Sequence, residues 1–501
     1  MRVSPTPVLR FDADVPIETP DPPRDGLPAS PSARKAHLGQ FMTPDTIAAF
    51  MAGLFSGPLP DTVRLLDAGA GEGALTAAFM TRWAGETGQL IEADAYECDP
   101  EAADRLRATL RRFEASASTT TRLVQADFVE RAATMLRLGR GPRYTHAILN
   151  PPYRKIGNAS RHRLLLRAAG LETVNLYTGF VGLALDLLEP GGQLVAIVPR
   201  SFCNGPYYKP FRAFVLRRAA IRHIHLFKAR DAVFKQGGVL QENVIIFMER
   251  GVGRGQITVS TSTDDTFADY DARAYPPGKI VSPHDLESFI HIPTEVLAEE
   301  FDGSGHFRFR LADLGIDVST GPVVDFRLRD WLRHMPEQGS VPLLYSSHFT
   351  AAGMQWPIEG MKKPNAILHT PDTQKWLYPN GFYAVVRRFS SKEEKRRIVA
   401  TVVDPGGLPG TALGFENHLN VFHQRRKPLP EAVAHGLAAY LNSTAVDRYF
   451  RQFNGHTQVN ATDLRMMRFP SRDMLMSLGE WAKAHPSPTQ AATDRQIAIM
   501  A

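Results

Sequence analysis

Apolar, β-type runs alternate with helical patterns from His37 to Arg250, and this alternation constrains the fold more than any other feature. Parallel strands need a crossover connection, which a helix usually supplies, so the pattern predicts an α/β domain with a parallel sheet. The last strand follows its predecessor without a long helix, so we expect it to pair antiparallel at the sheet edge. The predicted strands are Val63–Asp67, Ala93–Glu97, Arg122–Gln125, His146–Leu149, Leu194–Val198, Ile221–Leu226 and Asn243–Met248, and the predicted helices are Ala74–Arg82, Glu101–Phe113, Leu176–Leu188 and Tyr208–Arg217.

The length of 501 residues is too great for one compact core and favours two or three domains. Residues 1–36 are rich in Pro, Asp and Ser and predict a flexible tail, and residues 37–305 hold the α/β domain together with a polar connector. The pattern over 306–470 is irregular, aromatic and basic, and we predict a second, α+β domain there. We expect residues 471–501 to form a C-terminal tail.

Composition excludes several classes of protein. Two cysteines, Cys98 and Cys203, cannot build a disulfide framework or a four-ligand zinc site, and we expect no metal. No apolar run approaches the roughly 18 residues that span a bilayer, and the N-terminus lacks an apolar signal core. We therefore expect a cytoplasmic protein without a membrane partner. The net charge of +6 suits an anionic partner such as nucleic acid.

A glycine-rich turn lies between the first predicted strand and helix, in the run Asp67-Ala68-Gly69-Ala70-Gly71-Glu72-Gly73. Glycines there let the backbone approach a ligand, and such a loop alone can hold NAD, FAD or a nucleoside. Glu97 ends the second strand, where a carboxylate can accept both hydroxyls of a ribose. Asp127 and Phe128 follow the third strand, where they can accept from an adenine amino group and pack on its ring. Together these motifs predict a site for an adenosine-containing cofactor.

The fourth strand ends in Asn150-Pro151-Pro152-Tyr153. Two prolines cannot continue a central strand, so they fix a rigid turn at the carboxyl end of the sheet, where open α/β folds bind ligands. Asn150 Oδ1 and the Pro151 carbonyl can each accept one hydrogen of an aromatic amine, which directs the nitrogen lone pair towards an electrophile. Tyr153 offers a ring on which a base lifted from a duplex can stack.

In this order the motifs resemble those of the amino-methyltransferases of DNA restriction–modification systems, in particular the N6-adenine enzymes of the gamma arrangement. The resemblance implies a Rossmann-like class I methyltransferase sheet with an antiparallel edge strand, S-adenosyl-L-methionine as cofactor, and a flipped adenine in double-stranded DNA as substrate. It also implies a C-terminal α+β DNA-recognition domain and a companion restriction endonuclease that acts separately.

The resemblance also assigns residue roles. It assigns cofactor binding to Phe41, Thr43, Pro44, Asp67, Gly69, Gly71, Glu97, Asp127 and Phe128. It assigns contacts with the target base to Asn150, Pro151, Pro152, Tyr153 and Phe234. Thr43-Pro44 also fits a plain helix start, and Phe234 also fits a core position. Basic and polar clusters predict the DNA contacts, although each cluster alone also fits a solvated surface; they are Arg387, Arg388, Lys392, Lys395, Arg396, Arg425, Arg426, Asn454 and His456.

Other functions stay open at this point. Cytosine-N4 enzymes usually begin the catalytic motif with Ser, so Asn150 favours adenine. RNA methyltransferases and protein-glutamine methyltransferases are alternatives, and the latter share Asn-Pro-Pro-Tyr but lack a long second domain. A fused nuclease is a weaker alternative, based on Asp372 and the run Glu393-Glu394-Lys395. The last alternative, a specificity subunit without catalysis, has no use for a preorganised amine site.

Overall fold

The computed structural model describes residues 42–84, 89–114, 116–141, 143–228, 242–283, 285–293, 307–350, 353–390, 394–454 and 457–500. Six predictions lie outside these residues: the tail 1–36, Phe41, Phe234, Lys392, Glu393 and His456. No helix in the described ranges is long and apolar enough to cross a membrane.

A nine-stranded sheet organises the first unit, in the order β3-β2-β1-β4-β5-β7-β6-β8-β9. Strands β1 to β5 are parallel, as the alternating pattern predicted. The strands are β1 (Thr62–Ala68), β2 (Leu90–Glu97), β3 (Thr119–Gln125), β4 (Tyr144–Leu149), β5 (Leu188–Pro199), β6 (Ala219–Phe227), β7 (Asn243–Arg250), β8 (Ile257–Ser262) and β9 (Asp271–Tyr275). The helices are α1 (Asp45–Gly53), α2 (Ala74–Trp83), α3 (Pro100–Arg111), α4 (Phe128–Leu138), α5 (Arg161–Ala168), α6 (Leu176–Leu187), α7 (Lys209–Arg218) and α8 (Pro277–Ile280).

Helices cover both faces of this sheet at its inner strands, such as β4, which are apolar on both sides. Successive residues of a strand point to opposite faces, so Leu65 joins one core with α1 and α2, whereas Leu66 joins the other with α4, α6 and α7. All six residues of β4 are buried. Strand β4 therefore lies at the centre of the sheet and carries its next residue, Asn150, to a fixed position.

The position of the antiparallel strand differs from the prediction. Strand β7 is antiparallel to both β5 and β6, as expected, but it lies between them and not at the sheet edge. The reason is that β7 inserts between β5 and β6 and pairs with both. The polar segment after Arg250, predicted as a connector with some short strands, supplies β8 and β9, which extend the sheet beyond β6.

The second unit combines two sheets with five helices over the part of the chain that the structure describes, which agrees with the predicted α+β class. One sheet has the order β10-β20-β17-β18 and the other β11-β15-β12-β19-β16. Strands β13 and β14 form a separate pair. The strands are β10 (Asp317–Thr320), β11 (Leu332–Arg333), β12 (Ser340–Leu344), β13 (Phe349–Thr350), β14 (Gly353–Met354), β15 (Ala366–Leu368), β16 (Leu377–Pro379), β17 (Tyr383–Arg387), β18 (Ala400–Val403), β19 (Ala412–Phe415) and β20 (Leu419–His423).

The predicted C-terminal tail is folded. Its residues form α12 (Arg472–Ala484) and α13 (Gln490–Met500), which follow α9 (Glu431–Leu441), α10 (Thr444–Phe453) and α11 (Ala461–Met466). Leu475, Leu478 and Ile497 are buried in the core of the second unit. The prediction of a tail was wrong because these apolar side chains pack into the core of the second unit, a tertiary contact that the sequence alone does not show.

Candidate active site

A cleft of about 1090 Å³, its open mouth included, lies at the carboxyl ends of β1 to β4. Strands β1 and β4 are neighbours in space, although β2 and β3 separate them in the chain, so the cleft lies where the strand order reverses. Of the residues predicted for cofactor and target, seven line this cleft: Gly69, Gly71, Glu97, Asp127, Phe128, Asn150 and Pro152. The fold thus brings together residues that lie up to 83 positions apart in the sequence.

The glycine loop turns sharply from β1 into α2. The backbone N–H groups of Gly69 and Ala70 both donate to the carbonyl of Tyr96, which ties the loop to β2. Gly73 has φ 91°, and a Cβ there would lie 2.8 Å from Leu106 on α3. Gly73 is therefore required by both backbone conformation and close packing, whereas Gly69 and Gly71 line the cleft itself.

Glu97 is buried beneath this loop. Its carboxylate accepts hydrogen bonds from the backbone amides of Gly71, Cys98 and Asp99 over 2.7 to 2.9 Å. Burial raises the pKa of Glu97, and these three amides partly oppose that rise. The carboxylate thus joins the glycine loop to the start of α3 while it lines the cleft.

Asp67 lies deeper than predicted. Its side chain is 1% exposed and accepts from the amide and hydroxyl of Thr76, but it does not line the cleft. Its second oxygen, Oδ1, is buried without a hydrogen-bond partner among the described residues. Burial raises the pKa of Asp67 to about 7.

Asp127 and Phe128 form another wall. Asp127 caps α4 by accepting from the Glu130 amide, and its other oxygen lies 2.8 Å from His162 Nε2. Burial acts to raise the pKa of Asp127, but the contacts with His162 and the capping amide outweigh it, so the pKa is lowered overall. The Phe128 ring packs 5.0 Å from that of Phe180, which also lines the cleft.

Asn150 stands at the edge of the cleft nearest to the start of α1. Its amide nitrogen donates to Thr43 Oγ1 over 2.9 Å, and the Tyr153 hydroxyl donates to Asn150 Oδ1 over 3.3 Å. Two segments more than 100 residues apart therefore fix the orientation of this amide. Of the two prolines, Pro152 lines the cleft and Pro151 is buried.

Tyr153 is half-buried, and its side chain does not line the cleft. Its hydroxyl also lies 3.1 Å from the carbonyl of Ile197, and its ring packs edge-on against Tyr177 at 6.0 Å. The predicted stacking of Tyr153 on a base stays a prediction.

Sequence reasoning missed several lining residues. His162 and Arg154 line the cleft from the segment after the catalytic motif, and Cys98, Asp99 and Arg105 line it from the start of α3. The signal for His162 was weak because it lies on the short helix α5, which has only two buried residues, Arg163 and Leu166.

The predicted DNA contacts occupy different environments. Arg387 pairs with Glu394 at 2.6 Å, and Arg388 donates to the Asn417 carbonyl. Lys395 and Arg425 are exposed, Arg396 is half-buried, and the exposed Arg426 lies over the Tyr378 ring. Asn454 is the exception: it is fully buried and bonded to Arg397, Gln458 and Asp463. The prediction that Asn454 contacts DNA was therefore wrong, because its side chain is enclosed by protein.

Comparison with known proteins agrees with this arrangement. Residues 103–234 match the family described as Eco57I restriction-modification methylase. The chain is 50% identical over 472 residues to the Type II methyltransferase M.BsuBI of Bacillus subtilis, covering 93% of this chain and 94% of that protein. It is 41% identical over 449 residues to the Type II methyltransferase M.PstI of Providencia stuartii, covering 88% of each. Among solved structures, the Type IIL restriction-modification enzyme MmeI in complex with DNA has a TM-score of 0.50 at 10% identity, over 91% of this chain and 70% of that one.

Proposed function

The chain belongs to the Type II DNA methyltransferases of restriction–modification systems, and we propose that it methylates the exocyclic N6 of adenine in double-stranded DNA, with S-adenosyl-L-methionine as methyl donor. One observation carries the choice of chemistry. The amide of Asn150 is held rigidly at the edge of the cleft into which the glycine loop, Glu97 and Phe128 also face.

The residues of the cleft fit this cofactor. Gly69 carries no side chain where a Cβ would lie 3.4 Å from Phe180, so the backbone leaves room for a ligand. Glu97 would accept the ribose hydroxyls, and Asp127 and Phe128 would hold the adenine by its amino group and ring. When bound, S-adenosyl-L-methionine supplies an electrophilic methyl group on a sulfonium centre.

The chain's own residues prepare the nucleophile. An aromatic amine is a weak nucleophile because its lone pair is delocalised into the ring. In our proposal Asn150 Oδ1 and the Pro151 carbonyl each accept a hydrogen bond from one N–H of the amine, which localises the lone pair and directs it into the cleft. The nitrogen releases its surplus proton to solvent after it has been methylated. Thr43 and Tyr153 hold Asn150 in place before the base arrives, so little reorganisation is needed. No strong base is required to start the reaction.

Recognition of DNA is assigned to the second unit. Its cations Arg387, Arg388, Lys395, Arg396, Arg425 and Arg426 would contact phosphates, and neighbouring polar groups would contact base edges. We further propose a companion restriction endonuclease as a separate protein, and activity in the cytoplasm, where chromosomal DNA is the substrate.

Sequencing of N6-methyladenine positions in DNA from cells that express the protein tests the proposal. We expect methylation of one adenine within one short sequence, and no mark in cells that express Asn150→Ala. Mass spectrometry of nucleosides and of protein digests from the same cells covers the alternatives. Methylation of cytosine, RNA or glutamine, without methylation of adenine in DNA, would contradict the proposal.

A further inference from the structure

A surface turn at the junction of the two sheets of the second unit is built around a buried carboxylate. Glu416, Asn417 and His418 connect β19 of the five-stranded sheet to β20 of the four-stranded sheet. Glu416 is fully buried, whereas the side chain of His418 is 45% exposed. The His418 amide donates to Glu416 Oε2 over 2.9 Å, and its ring Nδ1 lies 2.9 Å from Oε2 and 2.8 Å from Oε1. One buried side chain thus fixes both the backbone and the ring of one exposed histidine.

This arrangement determines which ring atom is presented outwards. A carboxylate only accepts hydrogen bonds, so Nδ1 carries the hydrogen that faces Glu416. When the ring carries no second proton, Nε2 on its opposite side is the free ring acceptor. Burying a carboxylate costs free energy, and within the described residues Oε1 has no donor besides the His418 ring. The contacts of Glu416 therefore give it one evident role, the orientation of His418.

Groups that suit nucleic acid flank the turn on two sides. The Phe389 ring, 44% exposed, lies 5.0 Å from the His418 ring. A cleft on the other side contains Phe326, 61% exposed, together with Arg329, Lys362 and Lys363. The Asn417 amide donates to the carbonyl of Val323 over 2.9 Å, and Asp325 and Phe326 of the cleft follow Val323 closely in the chain, so the cleft lies beside the turn. Exposed aromatic rings and cations around one fixed acceptor are the composition of a surface that binds DNA.

A chain of hydrogen bonds leads from this turn to the first unit. The Arg388 amide donates to the His418 carbonyl, and the Val459 amide donates to the Arg388 carbonyl. Further along the same segment, Asp463 accepts from Asn204, which follows β5. The carboxyl end of β5 lies next to that of β4, which carries Asn150. The turn is thus connected to the edge of the sheet where the cleft opens.

We infer that His418 reads one base of the target duplex, with Nε2 accepting a hydrogen bond from an exocyclic amino group in the major groove, and that Glu416 is its positioning residue. The amino groups available there are N6 of adenine and N4 of cytosine. The inference rests on the proposed function and deepens it, because it assigns sequence discrimination to an imidazole ring outside the basic clusters.

Methylation of a duplex series tests the inference. The series contains the site mapped with the unaltered protein and duplexes in which each base pair of that site is replaced in turn. For His418→Ala we expect the ratio of kcat/KM between the mapped site and the substituted duplex to fall roughly ten- to hundredfold at one base pair, and to hold at the others. That base pair should present an amino group on the strand that the ring contacts.

Two further variants separate orientation from folding. Glu416→Gln keeps the shape but loses one acceptor, so we expect a smaller loss of discrimination at the same base pair. His418→Ala leaves a buried carboxylate without its ring partner, whereas the double variant Glu416→Gln with His418→Ala removes that charge. The double variant should discriminate no worse than His418→Ala, and its thermal melting should report a folded protein. His485→Ala, which alters an exposed histidine that contacts Trp481 between α12 and α13, is the matched control and should keep every ratio.

Folded variants at 416 and 418 that keep the unaltered ratio at every base pair would overturn the inference, as would an equal loss on all duplexes. The proposed function is judged separately, from the unaltered protein alone. If that protein placed no methyl group on adenine in DNA, the proposed function would fail, and this inference would fail with it.

Discussion

At the scale of single residues, the rigid support of Asn150 leads to a prediction about catalysis. Asn150→Ala removes an acceptor that Thr43 and Tyr153 hold in place. We expect turnover to fall by roughly a hundredfold or more, since loss of one preorganised polar group costs on that order, while affinity for S-adenosyl-L-methionine stays close to that of the unaltered protein. Single-turnover kinetics and calorimetry measure the two quantities.

The control for this prediction is Asn158→Ala, because Asn158 is exposed in the loop that follows the same motif. It should leave both quantities unchanged. Near-normal turnover of Asn150→Ala would remove Asn150 from the reaction.

Asp67 leads to a prediction about stability and pH. Burial raises its pKa from 3.8 to about 7, so the folded protein binds this proton more tightly than the unfolded chain does. Asp67 therefore supports folding below about pH 4, and this contribution is lost as the pH rises through 7. Asp67→Asn removes the buried charge but keeps an acceptor for Thr76. We expect its free energy of unfolding, relative to the unaltered protein, to increase between pH 4 and 8 by up to about 4 kcal/mol.

Urea unfolding without cofactor, repeated across this pH range, measures the difference. A difference between the two proteins that does not change with pH would show that Asp67 is not neutralised by burial.

At the scale of elements, two helices of the second unit approach closely through glycine. A Cβ added to Gly479 on α12 would lie 1.7 Å from the Ala432 carbonyl on α9, and one on Gly436 would lie 1.9 Å from the Leu475 carbonyl. Such distances force the helices apart. We expect Gly479→Ala to lower the free energy of unfolding by about 3 kcal/mol, the cost of overpacking a well-packed core.

Gly53→Ala is a matched control because Gly53 also lies in a helix, α1, but a Cβ there meets nothing within 4 Å. This variant should be neutral or more stable by up to about 1 kcal/mol, since alanine favours helix. Equal effects of the two substitutions in thermal melting would contradict the close-packing argument.

The strands and helices differ in how well they could be predicted from the sequence. Strands such as β1 and β4 were predictable because apolar runs flanked by turn residues have few other solutions, and their motifs line one cleft as expected. The packing of α12 on α9 was not predictable, because Gly436 and Gly479 act through a contact more than 40 residues apart in the chain. The role of His162 was not predictable for a related reason, because its partner Asp127 lies 35 residues earlier in the chain and the pair leaves no periodic pattern in the sequence.

At the scale of the whole molecule, buried polar contacts join the two units. Arg200, which follows β5, pairs with Glu242 and donates to the carbonyls of Arg451 and Gln452 in the second unit. Asn204 and Asp463 meet at the same boundary, and burial raises the pKa of Asp463 to about 6. These contacts hold the loop after β5 against the second unit, so a duplex bound by the second unit would have a defined position relative to Asn150.

That geometry makes the salt dependence of DNA binding a test of the second unit. Lys395 and Arg425 are exposed cations of the predicted DNA surface, and replacing both by alanine should remove two phosphate contacts. The slope of log K against log salt concentration should then fall by about 1.8, at roughly 0.9 per phosphate on duplex DNA. The control is to replace Arg107 and Arg111 by alanine, because both are exposed on α3 of the first unit and their loss also removes two positive charges. If both double variants reduced the slope equally, overall charge and not a local surface would govern binding.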